Sequence, residues 1–511
     1  MPNIFLRVRA SDVPVYRLCD AASGGIILLM AVFGPWAFGT TLPSTIWLMN
    51  YAAYVLGALL LVKLFIRKIK KCPLPRWDVA TLEIKSLRIS PAQRATVLLG
   101  WLTLALLLFC LISAWNYAAT YDPVRRLFLY QPHLNWLPHS FDAHRTWFWF
   151  WSYLGLAAAF WSSRDWLLGK TETEEKTFHA RGREAAIPRL NGRMRQLLWV
   201  LAISGTALGL EAIVQRASGS SKLLFIIQPV VNPAGETQFG PYAYRSNAAQ
   251  YFNLLWPMLL GGWWLLRRHG GKIHLLPVCA AIIAACPIIS TSRGGALVTA
   301  GLIGLLLVIF LAIESSAAAN HPDSLRRLKK YFWLTLAFLG VVAALGGYFG
   351  WKELSPRMEQ LNEGFSIREQ MYADARPMVA NETGYPVFGV GPGAFGTVFQ
   401  LYRISNLTYW PDQLHNDWLE TLITFGWVGF TLVFAALICI VVAGWNAPRR
   451  LLITAGLALA GCLVHARYDF PFQIHSIIFL FLLIAAWLMA AGAVKRPQLK
   501  KPQKKSRPAE T

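Results

Sequence analysis

The sequence predicts an all-α fold, a polytopic transmembrane helix bundle, on three observations. Hydrophobic residues make up 55% of the 511 and charged residues 15%. Apolar runs of about 20 residues recur from end to end, each long enough to cross roughly 30 Å of hydrocarbon as a helix. The short alternating strands that a closed barrel needs are absent from the pattern. Twelve spans follow, at about 23–42, 45–66, 97–116, 146–164, 196–214, 247–266, 275–291, 294–313, 331–350, 418–444, 451–468 and 475–493. The first begins after Arg7, Arg9, Arg17 and Asp20 with no small-residue cleavage site behind it, so it reads as an uncleaved first helix. None of the spans shows a paired Gly/Pro interruption at its centre, and no internal repeat is visible, which argues against transporter architectures.

Charge sets the expected orientation. The net charge is +23, and with the N-terminus inside, about 35 of the 49 Lys and Arg fall on the cytoplasmic side. This positive-inside bias puts both termini in the cytoplasm and makes anionic lipids, not nucleic acid, the partners of the inner charges. The tail Lys500-Lys501-Pro502-Gln503-Lys504-Lys505 reads as a disordered basic anchor. All seven cysteines lie in spans or on the inner side, so no disulfide framework is expected. The aromatic run Trp147-Phe148-Trp149-Phe150-Trp151 fits an interfacial belt.

Three polar segments fall outside: 117–145, 215–246 and 351–417. The last is too long for a turn and is expected to form a helical extracytoplasmic lid. Ser366 with Glu369 three residues on predicts a capping box, which makes Arg368 the second residue of a helix that Pro377 ends or kinks. The run Gly389-Val390-Gly391-Pro392-Gly393 forces turns and is neither a dinucleotide nor a Walker sequence. Asp417, with Glu420 at the same capping spacing, predicts the start of the next span, leaving His415 and Asn416 on its last exposed turn.

Within this layout a few side chains carry chemistry. Arg293 stands where two spans meet at the outer face, beside Ser290, Thr291 and Ser292. It is either a boundary arginine or an anion ligand whose fork fits phosphate oxygens. Arg368 at a helix N-terminus opposes the dipole, and an anion bound there would relieve the conflict. His415 is the candidate general base, against the plainer reading of an interfacial histidine. Asp469, in His465-Ala466-Arg467-Tyr468-Asp469-Phe470-Pro471, orients a partner or, as the simpler reading, caps a turn. There is no His-Glu-x-x-His, no Cys pair and no outer Asp-x-Asp to hold a metal, so no metal and no cofactor are expected. Two guanidiniums and an imidazole at the mouth of a bundle are suited to holding a lipid diphosphate while a hydroxyl is deprotonated beside it.

Taken together these stretches resemble the O-antigen ligase and polymerase superfamily. Thr291-Ser292-Arg293-Gly294 is similar to its Ser-Arg-Gly element. Arg368 followed by Pro386-Val387-Phe388-Gly389-Val390-Gly391-Pro392-Gly393-Ala394-Phe395 is similar to its arginine-led helix and glycine turn. Leu414-His415-Asn416-Asp417-Trp418-Leu419-Glu420 with Phe425-Gly426-Trp427-Val428-Gly429 resembles its His-Asn-x-x-Leu-Glu and Gly-x-x-Gly elements. Arg245-Ser246-Asn247-Ala248-Ala249 fits a looser upstream element and Asp469-Phe470 a downstream one.

The resemblance implies a C-type membrane glycosyltransferase, inverting and metal-independent, with its active site on the periplasmic side of the bacterial inner membrane. Its donor would be a polyprenyl-diphosphate-linked glycan and its acceptor lipid A-core or another glycan. Arg293 and Arg368 would bind the diphosphate and His415 would be the base, with Arg245, Asn416, Asp417, Glu420 and Asp469 supporting; Asn416 is expected to orient the histidine. Residues 1–195 would be N-terminal helices and basic linkers, 196–493 the catalytic region, and 494–511 a cytoplasmic tail. Polymerases and protein O-glycosylation ligases share these residues and differ in acceptor. A flippase for lipid-linked glycans is the alternative from another class.

Overall fold

The computed structural model describes residues 13–70, 76–78, 90–181, 188–267, 271–318, 324–382, 384–406 and 411–494. The expected basic anchor at 500–505 lies outside them. Twelve long helices coincide with the twelve expected spans. These are α1 (Pro14–Trp36), α2 (Pro43–Lys70), α3 (Pro91–Trp115), α4 (Ala143–Leu168), α6 (Gly192–Ser218) and α7 (Arg245–Leu266). They continue with α8 (Leu276–Ile289), α9 (Arg293–Ala318), α10 (Ser324–Gly346), α14 (Asp417–Gly444), α15 (Arg449–His465) and α16 (His475–Ala493). Among the described residues nine helical stretches are long and apolar enough to cross a membrane. The other three long helices are α4, α7 and α15. Of these α7 is buried almost all round, between α8, α15, α9 and α6, so it needs no lipid-facing side. The chain is an integral membrane protein with an all-α architecture.

Helix ends follow from local chemistry. Ser90 caps α3, its oxygen accepting from Gln93 N while the Gln93 side chain accepts from Ser90 N, with Pro91 at the first helical position. Asn191 caps α6, which ends at Gly219 with φ +68, the left-handed conformation that glycine adopts without a Cβ clash. The short helix α5 (Glu172–Arg181) fills the connection from α4 to α6, where Glu174 accepts from Gly192 N (2.7 Å).

At the other end of the bundle the polar segments fold into a small layer. It holds a hairpin of β1 (Ala119–Asp122) and β2 (Leu127–Tyr130) and the helices α11 (Lys352–Glu359), α12 (Leu361–Ala375) and α13 (Phe395–Val398). The hairpin is an addition to the expected all-helical layer. Met371, Met378, Val390, Phe395 and Leu414 share an apolar core there with Ala118 and Phe141, tying 117–145 to the 351–417 segment. The ninth span runs on through a π-helical turn, Gly347–Trp351, into α11.

Three expectations are corrected. First, α12 starts at Leu361, with Gln360 at its N-cap position, so Ser366 and Glu369 form no capping box and Arg368 lies inside the helix. Its guanidinium therefore meets no opposing helix N-terminus; α12 does end before Pro377. Second, the N-cap of α14 is Asn416, whose side chain accepts from Leu419 N, and not Asp417. Third, α14 is interrupted at Gly426, with φ +59 and ψ −173. The glycine turn docks into that break. Val390 N donates to Ile423 O (2.9 Å), Gly391 N to Thr424 O (3.0 Å) and Trp427 N to Pro386 O (2.8 Å). Backbone groups freed by the break are thus satisfied by other backbone, the condition for irregular chain within a helix bundle. A Cβ on Gly389 would stand 2.5 Å from Ile423 O and one on Gly426 2.3 Å from Val387 O, so both positions require glycine.

Candidate active site

The α8–α9 junction places the first candidate. Thr291, with φ +59, turns the chain sharply, and Ser292 Oγ accepts from Gly295 N (3.1 Å) to start α9. Ser290 and Ser292 bond their hydroxyls to Pro287 O and Ser246 Oγ, which builds the corner. Arg293 is left pointing along the surface, donating to Gln360 O (2.7 Å) and Arg357 O (3.4 Å) at the α11–α12 connection.

Arg368 reaches down from α12 onto the loop between α15 and α16. It donates to Tyr468 O and, at 3.4 Å, to the Tyr244 hydroxyl, and its guanidinium lies 3.7 Å from Asp469. Burial opposes the charge, but Asp469 and the surrounding phenols hold the Arg368 pKa above its ordinary value. Asp469 is the junction of the site. Its Oδ1 stands 3.1 Å from His415 Nδ1, its Oδ2 is 3.4 Å from the Tyr244 hydroxyl, and its side chain is 3% exposed. Burial alone would raise its pKa, yet the hydrogen bond and charge of His415 and the charge of Arg368 outweigh that and hold the carboxyl well below the usual range. Burial and the Asp469 charge push the Tyr244 phenol up to about 12, so it stays a donor. Both readings of Asp469 meet in one oxygen: Oδ1 accepts from Phe470 N (3.1 Å) and also faces His415 Nδ1 (3.1 Å).

His415 sits at φ +57, a sparsely populated conformation for a side-chain-bearing residue. Several contacts hold it there. Tyr372 Oη donates to His415 O (2.8 Å), Glu420 Oε2 accepts from Leu414 N (2.7 Å), and Asp417 accepts from Phe472 N (2.8 Å). Asp417 and Glu420 thus fix the backbone of the histidine turn and pin it to the α15–α16 loop. Asn416 is occupied in capping α14, so the expectation that it orients the imidazole is corrected: Asp469 stands at that position, and Phe470 packs edge-on against the ring at 4.7 Å. An ionised carboxylate only accepts, so the proton between the two lies on His415 Nδ1, and in the neutral ring Nε2 then keeps its lone pair.

Arg293, Arg368, Arg245 and Asp469 line one cavity of about 460 Å³ between α9 and α15. Its head also contains Tyr244 and Arg357, and its foot is apolar, with Leu297, Leu302, Leu305, Leu457 and Val464. His415 stands behind Asp469 and joins the cavity through it. Asp417 and Glu420 instead line a second cavity, of about 270 Å³, between α3, α4, α14 and α16. Arg357 and Tyr244 carry no sequence signal that marks them as site residues. Arg357 lies in a plain charged stretch, and its Nε is buried without a partner among the described residues. Tyr244 precedes the Arg245 element and only the fold brings it onto Asp469. Arg245 itself donates to Glu236 O (2.7 Å). A metal-binding group of three or more His, Cys, Asp or Glu does not occur among the described residues.

Residues 278–434 match the family model described as O-antigen ligase. No curated protein matches the chain. The matched stretch runs from α8 into α14 and contains Arg293, Arg368 and His415, while Arg245 and Asp469 lie beyond its two ends. The resemblance to the O-antigen ligase superfamily therefore holds over this stretch. Such a domain supports an O-antigen ligase- or polymerase-type glycosyltransferase function acting on lipid-linked glycans.

Proposed function

We propose that the protein transfers a glycan from a polyprenyl-diphosphate donor to an acceptor hydroxyl on the periplasmic face of the inner membrane, with lipid A-core as the acceptor. The observation that carries this reading is the Asp469 junction, which joins the His415 imidazole and the Arg368 guanidinium at the head of a cavity with an apolar foot. A lipid diphosphate has that same division into anionic head and hydrocarbon tail.

Arg293 and Arg368 take the diphosphate, with Arg245 and Arg357 beside them. Charge builds on the leaving diphosphate in the transition state, where fixed cations act most strongly. His415 Nε2 accepts the proton of the acceptor hydroxyl as its oxygen attacks the anomeric carbon. The bond from that carbon to the diphosphate oxygen breaks, and the electron pair leaves with the diphosphate. Attack opposite the leaving group inverts the anomeric centre. Asp469 holds the imidazole in the tautomer this requires and stabilises the imidazolium that forms. The 351–417 segment covers the sugars. No step requires a metal ion.

The test is transfer by the purified protein in nanodiscs, with a polyprenyl-diphosphate-linked glycan and lipid A-core, in excess EDTA. Capped lipid A-core is the expected product. Loss of activity that magnesium restores would overturn metal independence. Chain extension on the polyprenyl lipid, with lipid A-core untouched, would make the protein a polymerase.

A further inference from the structure

The connection between α6 and α7 carries an apolar surface that the proposed reaction does not use. Residues 223–231 read Leu-Leu-Phe-Ile-Ile-Gln-Pro-Val-Val, without a charge. The segment is tightly folded: Leu223 N donates to Ile227 O (2.8 Å) and Ile226 N to Leu223 O (2.9 Å). Its one polar side chain, Gln228, is exposed but hydrogen-bonded within the connection. Gln228 donates to Pro233 O (2.7 Å) and accepts from Ser221 Oγ (2.9 Å), and Gln238 donates to Asn232 O (2.9 Å). Leu224 and Phe225 are held at φ +51 and +61. What this arrangement turns outward is Ile226 (68% exposed), Val230 (95%) and Val231 (72%), with Phe225 and Ile227 at their edge. A connecting loop that faced only water would carry polar side chains at these positions, and an apolar patch of this kind marks a contact surface.

Its position identifies the partner. Ile203, Leu210 and Val214 are exposed along one face of α6, at helical spacing, which is the lipid-facing stripe of a membrane span. That helix ends at Ser218, so the loop begins where the stripe reaches the membrane boundary. We propose that residues 223–231 insert into the lipid bilayer at the boundary of headgroups and acyl chains, on the end of the bundle that carries Arg293 and His415. Interfacial apolar surfaces of this type bury about 5–10 Å into that boundary. The other side of the same connection contacts one of the cavity's cations: Glu236 O accepts from Arg245 (2.7 Å), and beside it Gln238 O accepts from Arg216 (2.9 Å). Anchoring the loop in lipid therefore holds Arg245 near the level of lipid phosphates.

The test uses the full chain in phosphatidylcholine–phosphatidylglycerol nanodiscs, with an environment-sensitive fluorophore on Val230→Cys, and on Ile226→Cys in case the first folds poorly. Signal from the native cysteines is subtracted with the parent protein, and Glu382→Cys on the exposed lid is the water-facing control. The expected result is a blue shift at 230 and 226, strong quenching by lipids with nitroxides at shallow acyl positions, and little quenching by iodide. The lid label should show the reverse. Iodide quenching at 230 equal to that at 382 would overturn the proposal. So would disulfide crosslinking between two copies of the Val230→Cys variant with no lipid quenching, because the patch would then be a dimer surface. Neither readout uses glycosyl transfer, so the result stands apart from the proposed reaction.

Discussion

Cations cluster at both ends of the bundle, and the two clusters are built differently. At one end Lys63 sits between Asp20 (2.8 Å) and Asp165 (2.7 Å), and Asp165 also takes Arg67 (2.6 Å) and Arg76 (2.7 Å). Arg76 adds Asp78, and Arg193 adds Asp20. These contacts join α1, α2, α4 and α6, and every cation in them meets a carboxylate. At the other end Arg245, Arg293, Arg357 and Arg368 share the head of one cavity with a single lining carboxylate, Asp469. Arg293 and Arg245 spend donors on backbone carbonyls, and neither they nor Arg357 form an ion pair among the described residues. Cations that each meet a carboxylate serve structure; cations left without one are candidates for holding an anion.

That contrast can be broken by substitution. The largest effect is expected from His415→Ala, which removes the base and leaves the cations. Turnover should fall by about 10²–10⁴, the scale of lost general-base catalysis, while donor binding persists. Single-turnover rates beside donor affinity would show it. Normal turnover in this variant would shift the proposed base elsewhere.

At the paired end, Asp165→Asn should cost about 3–5 kcal/mol of stability, since it strands Arg67 and takes one of two carboxylates from Lys63 and Arg76 in a buried site. Thermal unfolding in detergent is the measurement. Donor affinity of the folded fraction should not change, and a selective loss of affinity would erase the distinction between the two ends.

Arg293→Ala and Arg368→Ala should each lose a charge-assisted contact of about 1.5–3 kcal/mol, roughly 10- to 100-fold in donor affinity, with turnover falling as well. Lysine should rescue only in part, because an ammonium keeps the charge and loses the fork. Arg357→Ala tests the excess charge most directly: donor affinity should fall while the melting temperature holds. A lower melting temperature with unchanged affinity would make Arg357 a structural residue.

The smallest effect concerns pH. The Asp469 carboxyl is depressed in the folded state, so its stabilising contribution is present above the ordinary carboxylate pKa, about 3.9, and is lost as pH falls through the folded value. Asp469→Asn should therefore lower stability at neutral pH, with the gap to the parent closing only below about pH 4. A gap that closed between pH 5 and 8 would show that a different group sets it.

Much of this is legible in the sequence because hydropathy, caps and breakers act locally. Spans, the α12 end before Pro377, and the motif residues Arg293, Arg368 and His415 follow from neighbours in the chain. The start of α12 is not legible: Ser366–Glu369 has capping spacing, yet the helix begins six residues earlier than that cap implies, where nothing in the local pattern marks it. The glycine run is a turn, as its composition predicts, but its docking into the break at Gly426 joins two motifs that look independent in the sequence.

Asp469 is the clearest case of what only the tertiary structure decided. By sequence it is one aspartate beside a turn, 54 residues from His415 and about 100 from Arg368. Packing of α14 against the α15–α16 loop brings the three together, and Tyr244 arrives from the start of α7. The sequence determined by itself that this chain spans a membrane and which side chains are candidates for chemistry, because burial in lipid and side-chain type are properties of short stretches. Which carboxylate serves the histidine, and which arginines are left without one, are distances between elements far apart in the chain, and the folded bundle alone sets them.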